Sequence, residues 1–133
     1  MVFTVLFATA LTYGYPDPAV NALRAAARTG NMAALASIVK SRGPEGIDLD
    51  LAFTEASAYG RIKAMQFLIA RGASDFGGAL RKASLRNQIG AVRYLLKGDV
   101  RIAETDLWLA RLAAEGAGSA ETEFLLVTHM MHR

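Results

Sequence analysis

The sequence predicts an all-α protein in which short helical hairpins are stacked into a solenoid. Its 133 residues include 25 alanines, a composition that favours helices packed at close range. Apolar residues recur with helical spacing, and that spacing itself repeats roughly every 30 residues. There is no cysteine, which excludes a disulfide framework, a thiolate nucleophile and cysteine-ligated metal sites. A chain of this length corresponds to one domain, residues 1–133.

Residues 1–14 are predicted to form a helix that caps the front of the stack as half a repeat. The stretch from Val2 to Leu11 is apolar except for two threonines, and Ala10-Leu11 stands where later units carry a branched pair. A secretory signal normally places lysine or arginine before its apolar core, but the first basic residue here is Arg24. We therefore expect a structural helix and no secretory signal. No apolar run reaches the ~20 residues that a membrane-spanning helix needs.

Four predicted repeats follow, over residues 17–43, 48–73, 76–98 and 105–131. Asp17-Pro18 favours a helix start, because aspartate accepts free amide hydrogens at an N-cap and proline is tolerated in the first turn. Within each repeat an apolar residue is followed by a second small or apolar residue at +3 and a turn residue at +7. These sets are Leu23/Ala26/Gly30, Phe53/Ala56/Gly60, Leu80/Ala83/Asn87 and, more weakly, Leu109/Leu112/Gly116.

A second apolar segment, ending in a branched pair, completes each repeat. The pairs are Ile38-Val39, Leu68-Ile69, Leu95-Leu96 and Leu125-Leu126, and glycine follows the first three at positions 43, 72 and 98. Each repeat therefore predicts a helix, a tight turn, a second helix and a loop. One such hairpin buries its apolar stripes only against neighbouring hairpins. Ala26, Ala56 and Ala83 are expected where adjacent first helices approach most closely.

These residues resemble the ankyrin repeat. The nine residues from Leu23 to Asn31 are similar to the first half of the family's unit, and those from Phe67 to Ala73 are similar to the second half. The resemblance covers about residue 5 to residue 127. The usual threonine–proline is missing, and first members 30, 27 and 29 residues apart are closer than the usual period of about 33. The β-turn fingers are therefore expected to be shortened or lost, and other two-helix solenoids fit the same spacing.

The fourth unit fits this frame least well. If Gly116 is its turn residue, Leu125-Leu126 lie one or two residues too far along the chain. An insertion near residues 117–119 would reconcile the two segments.

Motifs for catalysis and for metal binding are sparse. The sequence has no nucleophile elbow, no zinc-protease motif and no phosphate-binding loop. His129 and His132 lie three residues apart and can share a helix face, but a zinc site usually takes at least three protein ligands. Trp108 is expected to cover the end of the core. We predict that the protein is not an enzyme and holds neither a metal nor another cofactor.

Charge is distributed unevenly along the chain, although the formal net charge is only +3. Residues 61–101 contain nine basic and two acidic residues, whereas 102–133 contain two basic and five acidic residues. Ordinary solvated surface would account for this contrast. The ankyrin resemblance implies a more specific role, because such stacks meet partners on the concave side formed by the first helices and the loops. The expected contact positions are Arg24, Arg28, Thr29, Tyr59, Arg81, Arg86 and Glu115.

These features predict a non-catalytic module that binds, and inhibits or sequesters, a partner protein with an acidic patch. Arginine and tyrosine are frequent at binding hot spots, and an acidic surface would complement the arginines. Two alternatives remain open: a nucleic-acid-binding repeat protein that uses the basic 61–101 region, and a small homodimeric scaffold. The dimer would form through the apolar first helix, at Val2, Phe3, Leu6 and Phe7. The expected location is the cytoplasm or the interior of a host cell.

Overall fold

A computed structural model describes residues 18–43, 48–98 and 102–132, and these residues form eight helices and no strands. The predicted all-α class is thereby confirmed for this part of the chain. In chain order the helices are α1 (Pro18–Thr29), α2 (Met32–Arg42), α3 (Leu49–Ala58), α4 (Ile62–Ala70), α5 (Phe76–Leu85), α6 (Ile89–Lys97), α7 (Glu104–Gly116) and α8 (Ala120–Met131). The predicted capping helix over residues 1–14 lies outside the described residues. None of the described helices is both long enough and apolar enough to cross a membrane.

The helices pack as four consecutive pairs in two rows. Each of α1, α3, α5 and α7 contacts the helix that follows it, and these four helices also contact one another in sequence to form the first row. Helices α2, α4, α6 and α8 form the second row, which is less closely packed. Small residues explain the difference, because Ala26, Ala56, Ala83 and Ala114 are all buried in the first row. A side chain with one carbon beyond the backbone lets neighbouring helix axes approach closely.

The turn inside each pair has one repeated form. The amide after the turn residue donates a hydrogen bond to the carbonyl of the buried alanine, over 2.8–3.0 Å. The turn residue itself has a positive φ, a conformation that favours glycine and, less strongly, asparagine. The four turn residues are Gly30 (69°), Gly60 (70°), Asn87 (55°) and Gly118 (72°).

The predicted frame of the fourth pair is therefore wrong by two residues. Gly116 is the last residue of α7, and the turn falls at Gly118. The physical reason is the buried stripe of α7, which consists of Leu107, Ala110 and Ala114 and requires the helix to continue through Gly116. With the turn at Gly118, Leu126 follows it by eight residues, just as Leu68 follows Gly60, and no insertion is needed.

Aspartates hold the link between the second and third pairs. Asp75 begins α5 as its N-cap and accepts a hydrogen bond from the Gly78 amide at 2.9 Å. Asp50, in the first turn of α3, accepts hydrogen bonds from the amides of Ser74 (2.7 Å) and Asp75 (3.1 Å). This link comprises only residues 71–75. These hydrogen bonds tie the start of α5 to the first turn of α3 and so fix the spacing of the two helices.

The core follows the line along which the two rows meet. Phe53 is fully buried in α3, and its ring packs edge-on against Phe76 of α5 with centroids 5.4 Å apart. Burying a side chain of this size contributes roughly 1.5–3 kcal/mol relative to leaving it exposed. The outward side of α1, α3 and α5 carries most of the charged residues described below, together with a few exposed apolar side chains such as Val20 and Leu85.

Candidate binding face on the first row

Glu55 in α3 is a nearly buried carboxylate that contacts cations from both neighbouring helices. Its side chain is only 5% exposed. From α1, Arg24 Nη2 lies 3.0 Å from Oε1 and Arg28 Nε lies 2.9 Å from Oε2. From α5, Lys82 Nζ lies 3.7 Å from Oε1. One carboxylate thus joins three helices of the first row electrostatically.

These cations keep Glu55 ionised despite its burial. Burial is the largest single influence on the pKa of Glu55 and raises it. The hydrogen bonds from Arg28 and Arg24, together with the charges of Arg28 and Lys82, outweigh burial, so the pKa lies below its ordinary value. Conversely, the hydrogen bond and the charge of Glu55 raise the pKa of Arg28.

Tyr59, the C-cap residue of α3, has two guanidinium groups near its ring. The Arg86 guanidinium lies 4.2 Å from the ring centroid and that of Arg28 lies 5.5 Å from it. Both distances are within the range of cation–π attraction. In addition, Arg61 Nε donates a 2.7 Å hydrogen bond to the Arg28 carbonyl at the end of α1, where positive charge is favourable.

A pocket of about 390 Å³ lies beside this cluster, where α3, α5 and α7 come together. Arg81, Lys82 and Leu85 on α5 line it and are all exposed, so the pocket opens to solvent. Its remaining lining residues are Thr54, Asp75, Gly78 and Ala113. Lys82 belongs to both features, so the pocket is continuous with the Glu55 cluster. We call the surface formed by Arg24, Arg28, Glu55, Tyr59, Arg81, Lys82 and Arg86 the basic face.

The structure brings together five of the seven predicted contact residues. Arg24, Arg28, Tyr59 and Arg86 form the cluster around Glu55 and Tyr59, and Arg81 lines the adjoining pocket. These contacts show where the side chains lie and do not test what they bind.

The other predicted residues are placed differently. The Thr29 hydroxyl donates a 2.8 Å hydrogen bond to the Ala25 carbonyl of its own helix. The prediction for Glu115 depends on Gly116 being the turn residue, which would put Glu115 in the register of Thr29, Tyr59 and Arg86. With the turn at Gly118, Ala117 occupies that position. The dimer candidates Val2, Phe3, Leu6 and Phe7 lie outside the described residues.

Two members of the face, Glu55 and Lys82, were missed by sequence reasoning. Each stands immediately before the small residue of its repeat, Ala56 or Ala83. Aligning the repeats on those alanines places the glutamate and the lysine at the same position of adjacent helices, where opposite charges can pair. That alignment would have predicted the contact.

The basic residues of 61–101 are divided between the two rows. Arg81, Lys82 and Arg86 belong to the basic face, whereas Lys63 and Lys97 lie on second-row helices. Two more basic side chains have partners outside the basic face. Arg71 lies 3.5 Å from the Phe67 ring centroid, and Arg93 pairs with Glu121 of α8 at 3.4 Å. The described part of this region therefore does not present one continuous basic surface.

Of the two histidines, His132 contacts the backbone of its own helix. His132 Nδ1 lies 2.8 Å from the Thr128 carbonyl, one helical turn earlier. Among the described residues, no group of three or more histidine, cysteine, aspartate or glutamate side chains has an arrangement that could bind a metal ion.

Comparison with models of known protein families and with curated protein sequences finds no match.

Proposed function

We propose that the four helix pairs constitute an ankyrin-like solenoid with a capping half unit at its front, and that it works as a non-catalytic protein-binding module. The basic face binds an acidic surface of a partner protein and thereby inhibits or sequesters that partner. The repeated turn geometry and the buried alanines at equivalent positions of the first row support the solenoid.

The imbalance of charge around Glu55 carries this proposal. One carboxylate contacts three cations, so the cluster keeps a net positive charge after the internal pairing is satisfied. Arg81 and Arg86 add two further cations to the same face. The side chains of Arg24, Arg28 and Lys82 remain 39%, 44% and 48% exposed, so an incoming carboxylate can reach them.

The internal contacts also prepare the face for binding. Arginine and lysine lose considerable rotamer freedom when a partner immobilises them. Here Glu55 and Tyr59 already orient the guanidinium groups of Arg28 and Arg86, so part of that entropy cost is met on folding. A face with fixed positive charges favours rapid association with an acidic surface.

Charge reversal on the face tests the proposal. Arg86→Glu is the sharper variant, since Arg86 contacts Tyr59 without contacting Glu55, whereas Arg28→Glu would set two carboxylates side by side and disturb folding. Lys63→Glu makes an equal charge change at an exposed residue of α4 and is the matched control. The tagged protein is used to capture partners from its native cell or host extract, and the Kd of each identified partner is then measured for the three proteins.

We expect the captured partner to be an acidic protein whose Kd rises about tenfold or more with Arg86→Glu, the loss of one hot-spot residue. Lys63→Glu should leave the Kd within about twofold. Equal effects of the two reversals, or capture of nucleic acid whose affinity falls equally in both variants, would contradict the proposal. Measured turnover of a substrate without any protein partner would contradict it as well.

A further inference from the structure

The first row changes from basic to apolar at its last helix. On α7, Leu109 and Leu112 are 41% and 45% exposed. On the helix surface Leu109 is a neighbour of Leu112, three residues on, and of the pocket residue Ala113, four residues on. Leu85 of α5 also lines the pocket and is 57% exposed. We call Leu85, Leu109 and Leu112 the apolar strip.

Repeat equivalence places this strip in line with the arginines. Leu112 precedes the buried Ala114 by two residues, as Arg24 precedes Ala26 and Arg81 precedes Ala83. Leu109 lies five residues before Ala114, as the pocket residue Gly78 lies five residues before Ala83, so these two positions are equivalent as well. The position that carries guanidinium groups on α1 and α5 thus carries an isobutyl group on α7.

The core does not require these exposed side chains. Leu107, Ala110 and Ala114 are fully buried and already close the contact of α7 with α5. Trp108, which was expected to cover the end of the core, is instead 49% exposed, with the Arg111 guanidinium 4.9 Å from its ring. Contiguous exposed apolar groups that the core does not use are typical of interaction sites.

We infer that the segment bound by this protein is both acidic and amphipathic. Its carboxylates pair with Arg81, Lys82 and Arg86, and its large apolar side chains enter the pocket against Leu85 and cover Leu109 and Leu112. The charge of the basic face favours acidic groups in the bound segment, and the exposed leucines of the apolar strip favour large apolar side chains beside them. This inference rests on the proposed function and specifies its ligand chemistry.

Three fluorescein-labelled synthetic peptides of equal length test it. The first combines glutamate with leucine at helical spacing, the second replaces every leucine by serine, and the third replaces every glutamate by lysine. Anisotropy gives the Kd, and the emission of Trp108, the single tryptophan of the chain, reports contact near the strip. We expect the first peptide to bind at least about tenfold more tightly than either other peptide and to shift Trp108 emission to the blue.

Variants then locate the binding site. Leu112→Ser and Arg81→Ser should each weaken the first peptide about tenfold, by removing an apolar and a charged contact respectively. Phe124→Ser is the matched control, since Phe124 is 69% exposed but lies on second-row helix α8. It should leave the Kd unchanged.

The other outcomes separate the two proposals. Equally tight binding of the glutamate–serine peptide would overturn the amphipathic inference while leaving an acidic partner in place. Failure of both acidic peptides to bind, or preference for the lysine peptide, would overturn both the amphipathic inference and the proposed function. If the unliganded protein sediments as a dimer and Leu112→Ser makes it monomeric, the strip is a self-association surface and the inference is wrong.

Discussion

Replacing Glu55 by glutamine removes one charge from the centre of the basic face with almost no change of shape. In the native protein this nearly buried carboxylate accepts hydrogen bonds from Arg24 at 3.0 Å and from Arg28 at 2.9 Å. Glutamine accepts only one of these bonds through its single carbonyl oxygen. Because it carries no charge, Arg24, Arg28 and Lys82 all lose their ionic partner.

The magnitude follows from the exposure of the partners. A hydrogen bond to a charged group contributes about 1.5–3 kcal/mol, whereas an exposed ion pair contributes about 0.2–1 kcal/mol. Arg24 and Arg28 are 39% and 44% exposed, so water replaces part of what they lose. Glutamine also avoids the cost of burying a charge. We expect Glu55→Gln to lower the free energy of unfolding by about 1–2 kcal/mol, between the two limits.

Urea unfolding followed by far-ultraviolet circular dichroism measures this change, with an unaltered m-value as evidence that the unfolded state is the same. Arg28→Gln and the double variant complete a mutant cycle, whose coupling energy should be about 1 kcal/mol. Glu115→Gln, the same substitution at an exposed position of α7, should change stability by less than about 0.5 kcal/mol. If Glu55→Gln changed stability as little as Glu115→Gln does, or if the coupling energy were zero, the role given to Glu55 would be refuted.

Two further predictions concern the charge of Glu55 and the turn at Asn87. Because the pKa of Glu55 is lowered on folding, its stabilising effect is complete above the unfolded glutamate pKa of about 4.3 and is lost as pH falls through the folded value. Between about pH 5 and pH 3 the wild type should therefore lose more stability than Glu55→Gln in urea titrations, and parallel losses would contradict this. Asn87 has a φ of 55° and accepts a 2.9 Å hydrogen bond from Thr122. Asn87→Ala should be less stable than Asn87→Gly by roughly 0.5–1 kcal/mol, since both lose the bond but only alanine is strained; equal urea midpoints would contradict this.

The turns show how far a local pattern predicts this fold. Gly30 and Gly60 could be identified because a tight turn with positive φ needs glycine and each stands seven residues after a large apolar residue. The same rule failed in the fourth pair, because Gly116 stands seven residues after Leu109 whereas Gly118, the actual turn residue, stands seven residues after Arg111. Packing of Leu107, Ala110 and Ala114 against α5 selected Gly118, and that contact links residues far apart in the chain.

The basic face shows the corresponding limit for side-chain contacts. Arg24, Arg28, Tyr59, Arg81 and Arg86 were predicted from their positions in the repeat, as single exposed side chains. The pairing of Arg24 and Arg28 with Glu55 was not predicted, because this carboxylate belongs to a different helix and looks unremarkable in its own segment. Distances between side chains on separate helices depend on how the helices are stacked.

The amino-acid sequence by itself determined the helical class and three of the four turns, since spacing and glycine act within a few residues. Only the tertiary structure decided the fourth turn, the pairing of Glu55 with three cations, and the exposure of Leu109, Leu112 and Trp108. Each of these depends on which helix packs against which, and burial and charge pairing exist only once the first row has formed.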